Sequence, residues 1–126
     1  MSISPANPKA QQTARPRSAK TKKIMIKNGK LNLRVSLDDI IYIQAEHVYV
    51  RIHLRSNQRI LYRISLTDIL EQLDQRQFVR VHRSYIVNVK ELRALNSQGV
   101  QIGDHLIPVG RVWRPKLIAH LKSLDV

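Results

Sequence analysis

From Ile24 onward the sequence predicts a mostly β domain, with one helix inside it and a second, short helix at its C-terminal end. Three observations favour this class. Short apolar segments show the two-residue alternation of half-buried strands. Turn signals such as Asn28-Gly29 and Gly103-Asp104 separate these segments at short intervals. Helical spacing of apolar residues is confined to 65–74 and 112–121.

The first predicted strands, 24–27 and 31–35, form a hairpin around Asn28-Gly29. The segment 40–44 is almost continuously apolar, so we expect it at the centre of a sheet with both faces buried. Val48 begins an alternation that continues to Leu54 and predicts a half-buried strand with one basic face. The other predicted strands are 59–64, 78–81, 85–89, 92–95, 100–102 and 106–109.

Both helices have recognisable starts. Ser65 is a good N-cap with Asp68 three residues later, as in a capping box, and an apolar face follows at Leu66, Ile69, Leu70 and Leu73. The last helix carries Pro115 in its first turn, where proline is tolerated. Trp113, Leu117 and Leu121 share one face of it, so we expect Trp113 in the core.

The charge is strongly positive, with 22 Lys and Arg against 9 Asp and Glu, a formal net charge of +13. Residues 1–23 hold six of the basic side chains and no acid, and the segment is rich in proline and small polar residues. We therefore predict a disordered basic tail or linker over residues 1–22 and a folded domain over 23–123. The tail is either a solvated linker or an arm that follows phosphates. The domain stays basic without it, which points to a polyanion.

Several classes of protein are disfavoured. There is no cysteine, no N-terminal apolar run and no apolar stretch of about 18 residues, so we expect a cytoplasmic protein without membrane insertion. No nucleophile elbow or paired-histidine zinc motif occurs. The acids Asp38, Asp39, Asp68 and Asp104 fall at turns or helix starts, and two of the scattered histidines adjoin arginines. We expect no enzymatic activity, no cofactor and no metal site.

The most informative stretch is 78–88, FVRVHRSYIVN. Its strand alternation stops at Arg83-Ser84 and resumes at Tyr85, which predicts two strands joined by a short loop. That loop presents the imidazole of His82, the guanidinium of Arg83 and the hydroxyl of Ser84 together. These groups suit phosphate oxygens and the acceptor edge of guanine, and so favour contact with nucleic acid. The alternative is a salt-bridged surface loop, although few acids lie nearby in the sequence.

Residues 78–88 closely resemble the F-x-R-x-H-R-S-Y-x-V-N signature of the LytTR family of bacterial DNA-binding domains. The resemblance extends in order from about residue 23 to 121. It includes strands at 37–43 and 49–53, the helix at 65–74, and 107–111, IPVGR, which resembles the family's L-P-V-S-R. It implies a compact fold of about ten short strands in small sheets with one intervening helix. It also implies that loops between strands, with the start of the last helix, contact bases in the major groove.

Carried over position by position, the resemblance implies three contact segments. The first holds Glu46 and His47, the second His82, Arg83 and Ser84, and the third Arg111 and Arg114. Lys116 is a further candidate for a phosphate contact near the helix N-terminus. Arg51 is either structural or phosphate-facing, and both readings stay open. Gly110 stands where the family usually has serine, which removes a hydroxyl that could bind phosphate.

We therefore expect a sequence-specific transcription regulator that binds promoter repeats on double-stranded DNA. A dimer on DNA and a regulatory protein partner are further expectations that follow from the resemblance alone. Two other classes stay open: an RNA-binding domain and a protein-interaction β module. Exposed aromatic pairs, which many RNA-binding sheets use, are not evident. The sequence also leaves open whether the chain is a complete regulator or a fragment of a longer one.

Overall fold

The computed structural model describes residues 22–124, which form ten short strands and two α-helices. The strands are β1 Lys23–Asn28, β2 Leu31–Ser36, β3 Ile40–Glu46, β4 Tyr49–Leu54, β5 Arg59–Tyr62, β6 Phe78–His82, β7 Tyr85–Asn88, β8 Leu92–Asn96, β9 Gly99–Ile102 and β10 His105–Ile107. Helix α1, Leu66–Gln72, lies between β5 and β6, and α2, Arg114–Leu124, ends the described chain. The expected mostly β fold with these two helices is confirmed. Apart from Lys22, the predicted tail lies outside the described residues.

The strands form three antiparallel sheets. The largest has the order β5-β4-β3-β7-β6, so β3 is central, as its continuous apolar sequence predicted. Strands β1 and β2 form a separate hairpin whose turn contains Gly29 at φ 65°, a backbone conformation that glycine adopts without strain. Strands β8, β9 and β10 form the third sheet. Neither helix within residues 22–124 is long and apolar enough to cross a bilayer.

The five-stranded sheet is the middle layer because each of its faces is covered by a separate apolar core. On one face, Ile43 and Ile52 pack with the β1–β2 hairpin and with Ile69 of α1. On the other face, a second core joins the five-stranded sheet to the three-stranded sheet and to α2. Its fully or almost fully buried members are Tyr42, Val81, Val87, Val100, Ile102, Ile107 and Leu117. The two cores fix which side chains of each strand face which layer.

Helix α1 begins as the sequence predicted. The Ser65 hydroxyl accepts a hydrogen bond from the Asp68 backbone N–H at 3.0 Å, so one of the N–H groups without an intrahelical partner is satisfied. Leu66, Ile69 and Leu73 are buried against the sheet, whereas Leu70 is only partly buried. The helix therefore uses its apolar face to close the first core.

Several predicted boundaries differ from the structure by one to three residues; the strand predicted at 59–64, for example, ends at Tyr62. Val48 was predicted to begin the alternation of β4, but it lies in the turn before that strand and is 56% exposed. The strand predicted at 106–109 ends at Ile107, because Pro108 has no backbone N–H to donate to a neighbouring strand. In both places the alternation of apolar and polar residues extends past the residues that pair with a neighbouring strand.

Asn88 explains the last position of the 78–88 signature. It is fully buried, its Nδ2 donates to the carbonyl of Ile40 at 2.8 Å, and its Oδ1 accepts from the backbone N–H of Lys90 at 2.9 Å. The side chain thereby ties the end of β7 to the start of β3. This end of the sheet lies opposite the turns that follow β3 and precede β7.

We predict that Asn88→Ala lowers the free energy of unfolding by about 1–3 kcal/mol, since it leaves buried polar backbone groups unpaired. Urea denaturation measures the change. Asn32→Ala, at an exposed position in β2, is the control and should change stability by less than about 0.5 kcal/mol. Equal losses in the two variants would show that the buried hydrogen bonds of Asn88 contribute nothing.

Candidate nucleic-acid interface

Two hairpin turns lie side by side at one end of the five-stranded sheet. The β3–β4 turn follows Glu46, and the β6–β7 turn contains Arg83 and Ser84. Strands β3 and β7 pair antiparallel with Gln44 opposite Tyr85, which places the end of β3 beside the start of β7. The Ala45 N–H extends this pairing by donating to the Ser84 carbonyl at 2.8 Å. The first two predicted contact segments are therefore adjacent.

The β3–β4 turn exposes His47 and engages Glu46. His47 has φ 58°, and its side chain lies at the surface. The carboxylate of Glu46 binds Nη2 of Arg51 at 2.6 Å through Oε1 and at 2.8 Å through Oε2. Arg51 was expected to be either structural or phosphate-facing, and in the structure it forms an ion pair within the β3–β4 hairpin. Glu46 and Arg51 are partly exposed, so solvent weakens the attraction between them.

The β6–β7 turn is held by its own imidazole. His82 Nδ1 accepts from the Ser84 backbone N–H at 3.0 Å, which leaves Nε2 as the donor of a neutral ring. The ring also contacts the edge of Tyr85 at a centroid distance of 5.6 Å. The hydroxyl of Tyr85 in turn accepts from Gln44 Nε2 at 3.4 Å. Arg83 remains exposed at the tip of the turn.

Arg80 stabilises this turn through hydrogen bonds to its carbonyls, a role that was not predicted from the sequence. Its Nη2 donates to the carbonyl of Arg83 at 2.7 Å, and its Nε donates to the carbonyl of His82 at 3.3 Å. Its Nη1 donates to the hydroxyl of Thr67 in α1 at 3.2 Å. The guanidinium carbon also lies 5.1 Å from the centroid of the Trp113 ring, within the range of cation–π attraction. The sequence signal for this role is that the F-x-R-x-H-R-S-Y-x-V-N signature specifies an arginine at position 80.

The third segment, 110–116, adjoins the same end of the sheet. The Gly110 N–H donates to the carbonyl of Val81 at 2.8 Å, which anchors the segment beside β6. Arg111 is exposed, and Arg114 Nη2 donates to the carbonyl of Asn96 in β8 at 2.7 Å. Arg114 thus links the start of α2 to the end of β8, next to the β8–β9 turn. Within residues 22–124, the side chain of Arg111 donates no hydrogen bond to another residue.

Trp113 was expected in the core but is only partly buried. The Arg80 guanidinium lies over its ring, and Lys116 Nζ lies 5.8 Å from the ring centroid. A Cβ added at Gly110 would lie 2.6 Å from Cδ1 of Trp113, closer than carbon atoms approach without displacement. The glycine thus makes room for the indole, and a serine in its place would displace it.

We call residues 46–48, 82–84 and 110–116 the loop cluster. The backbone hydrogen bonds Ala45–Ser84 and Gly110–Val81 bring its three segments to one end of the molecule. The cluster contains four Lys or Arg against one carboxylate, that of Glu46. Such a surface attracts a polyanion and offers both charged and neutral hydrogen-bond donors. Across residues 22–124, no three His, Asp or Glu side chains come together as metal ligands would.

Comparison with known proteins decides the family. The sequence model of the LytTr DNA-binding domain matches residues 30–121. The chain belongs to the LytTR DNA-binding domain family. The resemblance drawn from residues 78–88 and their neighbours is therefore confirmed, and DNA is the ligand class of this domain.

The LytTR domain also has a curated relative and a structural neighbour. It is 32% identical over 103 residues to the CO-responsive transcriptional regulator RcoM of Rhodospirillum rubrum. That match covers 76% of this chain and 43% of the regulator, so the chain spans less than half of the relative's length. The structure matches a LytTr DNA-binding domain of a methyl-accepting/DNA response regulator from Bacillus cereus with a TM-score of 0.69. The sequence identity is 19%, with 79% of this chain and 95% of that chain covered, so this likeness shows the fold.

We predict that Gly110→Ala destabilises the LytTR domain by about 1–3 kcal/mol, because the added methyl group overlaps the indole of Trp113. The cost should shrink by at least half when Trp113 is replaced by leucine, which removes the ring that the methyl group meets. Urea denaturation of the two single variants and the double variant measures this coupling. An unchanged cost in the Trp113→Leu background would place the strain elsewhere.

Proposed function

We propose that this LytTR domain regulates transcription by reading base sequence in the major groove of promoter DNA through the loop cluster. The convergence of three separate chain segments at one end of the five-stranded sheet carries the proposal. Turns held by backbone hydrogen bonds lose little conformational freedom when they dock, so more of the contact energy appears as affinity.

Arg83 is the main base-reading side chain in this proposal. It is exposed at the tip of the β6–β7 turn, and a guanidinium can bind O6 and N7 of guanine with two hydrogen bonds. Ser84 and Nε2 of His82 are further donors beside it. His47 approaches a neighbouring base or phosphate from the adjacent turn.

The ion pair of Glu46 with Arg51 affects how Glu46, at the β3–β4 turn, can contact a base. Glu46 accepts from a cytosine amino group only if its carboxylate keeps an oxygen lone pair for the base. Nη2 of Arg51 lies near both oxygens, but a carboxylate has about four lone-pair sites and both side chains are partly exposed, so acceptor sites remain. We propose that Glu46 offers these sites to the base edge and that Arg51 turns towards a phosphate on binding.

The third segment positions the domain on the DNA backbone. Arg111 is exposed, and Lys116 projects from the first turn of α2, so both suit phosphate oxygens. Arg114 supports the segment through the Asn96 carbonyl, which uses Nη2, and its other N–H donors suit a phosphate. Two copies of the chain on repeated promoter sites, and a protein partner that controls them, extend the proposal.

We predict that Arg83→Ala removes about 1–3 kcal/mol of the discrimination between a selected duplex and a scrambled one. The duplex comes from selection out of a random library, and fluorescence anisotropy measures both affinities at two salt concentrations. Arg76→Ala is the matched control, since Arg76 is exposed at the opposite end of β6 and carries the same charge. It should lower both affinities slightly and leave their ratio unchanged.

Three outcomes would contradict this reading of the site. The ratio of affinities could be unaffected by Arg83→Ala, which would remove the β6–β7 turn from the base-reading surface. Wild type could bind both duplexes equally, with affinity that vanishes as salt rises, which is the behaviour of phosphate contacts alone. Tighter binding to single-stranded or double-stranded RNA of the same sequence would favour the RNA-binding alternative.

Arg80→Lys tests whether the turn must be held for readout. Lysine keeps the charge but cannot donate to two carbonyls and a hydroxyl in the planar geometry of a guanidinium. We predict that affinity for the selected duplex falls about tenfold, the equivalent of one lost charge-assisted hydrogen bond. Affinity for the scrambled duplex should stay unchanged, because the charge is kept. A parallel loss on both duplexes would mean that Arg80 supports only the fold.

A further inference from the structure

A cavity of about 310 Å³ lies between β10 and the β4–β5 hairpin. None of its lining residues belongs to the loop cluster, and its Asn57 and Gln58 lie at the opposite end of β4 from His47. The polar lining consists of Tyr42, His53, Asn57, Gln58, Arg59 and His105. No Asp or Glu stands among the described residues that line it.

Strand register brings the basic groups of the cavity together. Tyr42 of β3 is the direct partner of His53 of β4, which is in turn the direct partner of Arg59 of β5. Direct partners project from the same face of a sheet, so these three side chains form one row. The His53 ring stacks on Tyr42 at a centroid distance of 4.0 Å. From β10, the ring of His105 approaches to 5.1 Å from Tyr42 and 6.4 Å from His53.

Arg59 gives this row a positive charge, and no carboxylate is among the described residues that line the cavity beside it. Within residues 22–124, Arg59 forms no ion pair, although Arg51 and Arg55 do. Burial, with His105 and the nearby guanidinium groups adding to it, lowers the pKa of His53 to about 4. The imidazole is therefore neutral at physiological pH, mainly because burial disfavours its charged form and in smaller part because neighbouring basic groups repel that charge. An added anion would relieve this repulsion, whereas a metal cation would increase it.

We propose that this cavity binds a small oxyanion, a phosphate or carboxylate group, with Arg59 as the charged contact and His105 as a further donor. His53 Nε2 lies 3.4 Å from Oε1 of Gln44, so His53 adds a donor at Nδ1 when a proton binds there. The amides of Asn57 and Gln58 offer additional N–H groups at the mouth. The volume is near the lower end of the range for small-molecule sites, which suits a compact ligand.

Binding at this site takes up a proton. A bound anion favours the charged form of His53 and raises its pKa from the low value of the free protein. The complex then holds more protons than the free protein, so affinity rises as the pH falls through the pKa that His53 has in the complex and levels off below its free value of about 4. The groups that face His53 are Tyr42 and Glu46 of β3, Arg51 of β4, Arg59 of β5 and His105 of β10. Glu46 is the one acid among them, and it is already paired with Arg51.

Titration of the full chain with inorganic phosphate, at constant ionic strength maintained with chloride, tests the proposal. We expect the imidazole NMR signals of His53 and His105 to shift and saturate. The pH dependence is measured with sulfate, whose charge stays constant above about pH 4, and its apparent Kd should be tighter at lower pH. Arg59→Gln should weaken binding about tenfold by removing one charge-assisted hydrogen bond. Arg76→Gln removes an exposed arginine outside the cavity and should leave Kd unchanged. Shifts that never saturate, or equal Kd values in the two variants, would overturn the proposal.

The oxyanion has two sources, a free small molecule or a phosphate of bound DNA. Addition of the selected duplex separates them. If the duplex displaces phosphate, and if Arg59→Gln lowers DNA affinity whereas Arg76→Gln does not, the oxyanion is a phosphate of the DNA backbone. Phosphate binding that persists on the DNA complex identifies a free anion. The phosphate titration itself contains no DNA, so its result does not depend on whether the loop cluster reads sequence.

Discussion

Pairing between β3 and β7 is the constraint on which the rest of the interface depends. Ile43 and Tyr42 of β3 are buried on opposite faces of the sheet, in separate cores. A shift of β3 by one residue would exchange the two faces and turn the polar side chains of Gln44 and Glu46 towards the first core. The register therefore fixes the bond from Ala45 to the Ser84 carbonyl, and with it the distance between the two turns. Hydrophobic burial in the two cores thus determines the geometry of the loop cluster.

The turns are held mainly by groups other than the exposed side chains of the loop cluster. Arg80 binds the carbonyls of the β6–β7 turn, and the Gly110 N–H binds a carbonyl of β6. These bonds use backbone acceptors and leave the side chain of Arg83 exposed. The guanidinium of Arg80 also lies over Trp113, which joins the second and third segments. The partly buried guanidinium of Arg80 thereby links chain segments that are distant in sequence.

Much of the fold was visible in the sequence, because alternation and caps are local properties. The central position of β3 and the Ser65 cap followed from residues within a few positions of each other. The partners of Glu46 and Trp113 did not. Glu46 binds Arg51 only because the β3–β4 hairpin folds back, and the position of Trp113 depends on Arg80 and Gly110. The choice of contact residues rested on the family resemblance, since residue type alone does not show which turns meet.

The most direct test of the central claim is a ¹H–¹⁵N NMR titration of the chain with its selected duplex. The account predicts that backbone signals of 46–48, 82–84 and 110–116 shift together with one apparent Kd. Signals at the opposite end of the sheet, around Arg76 and Asn88, should stay in place. Shifts confined to one segment, or centred on the β1–β2 hairpin, would contradict the claim that the three segments form a single DNA-reading surface.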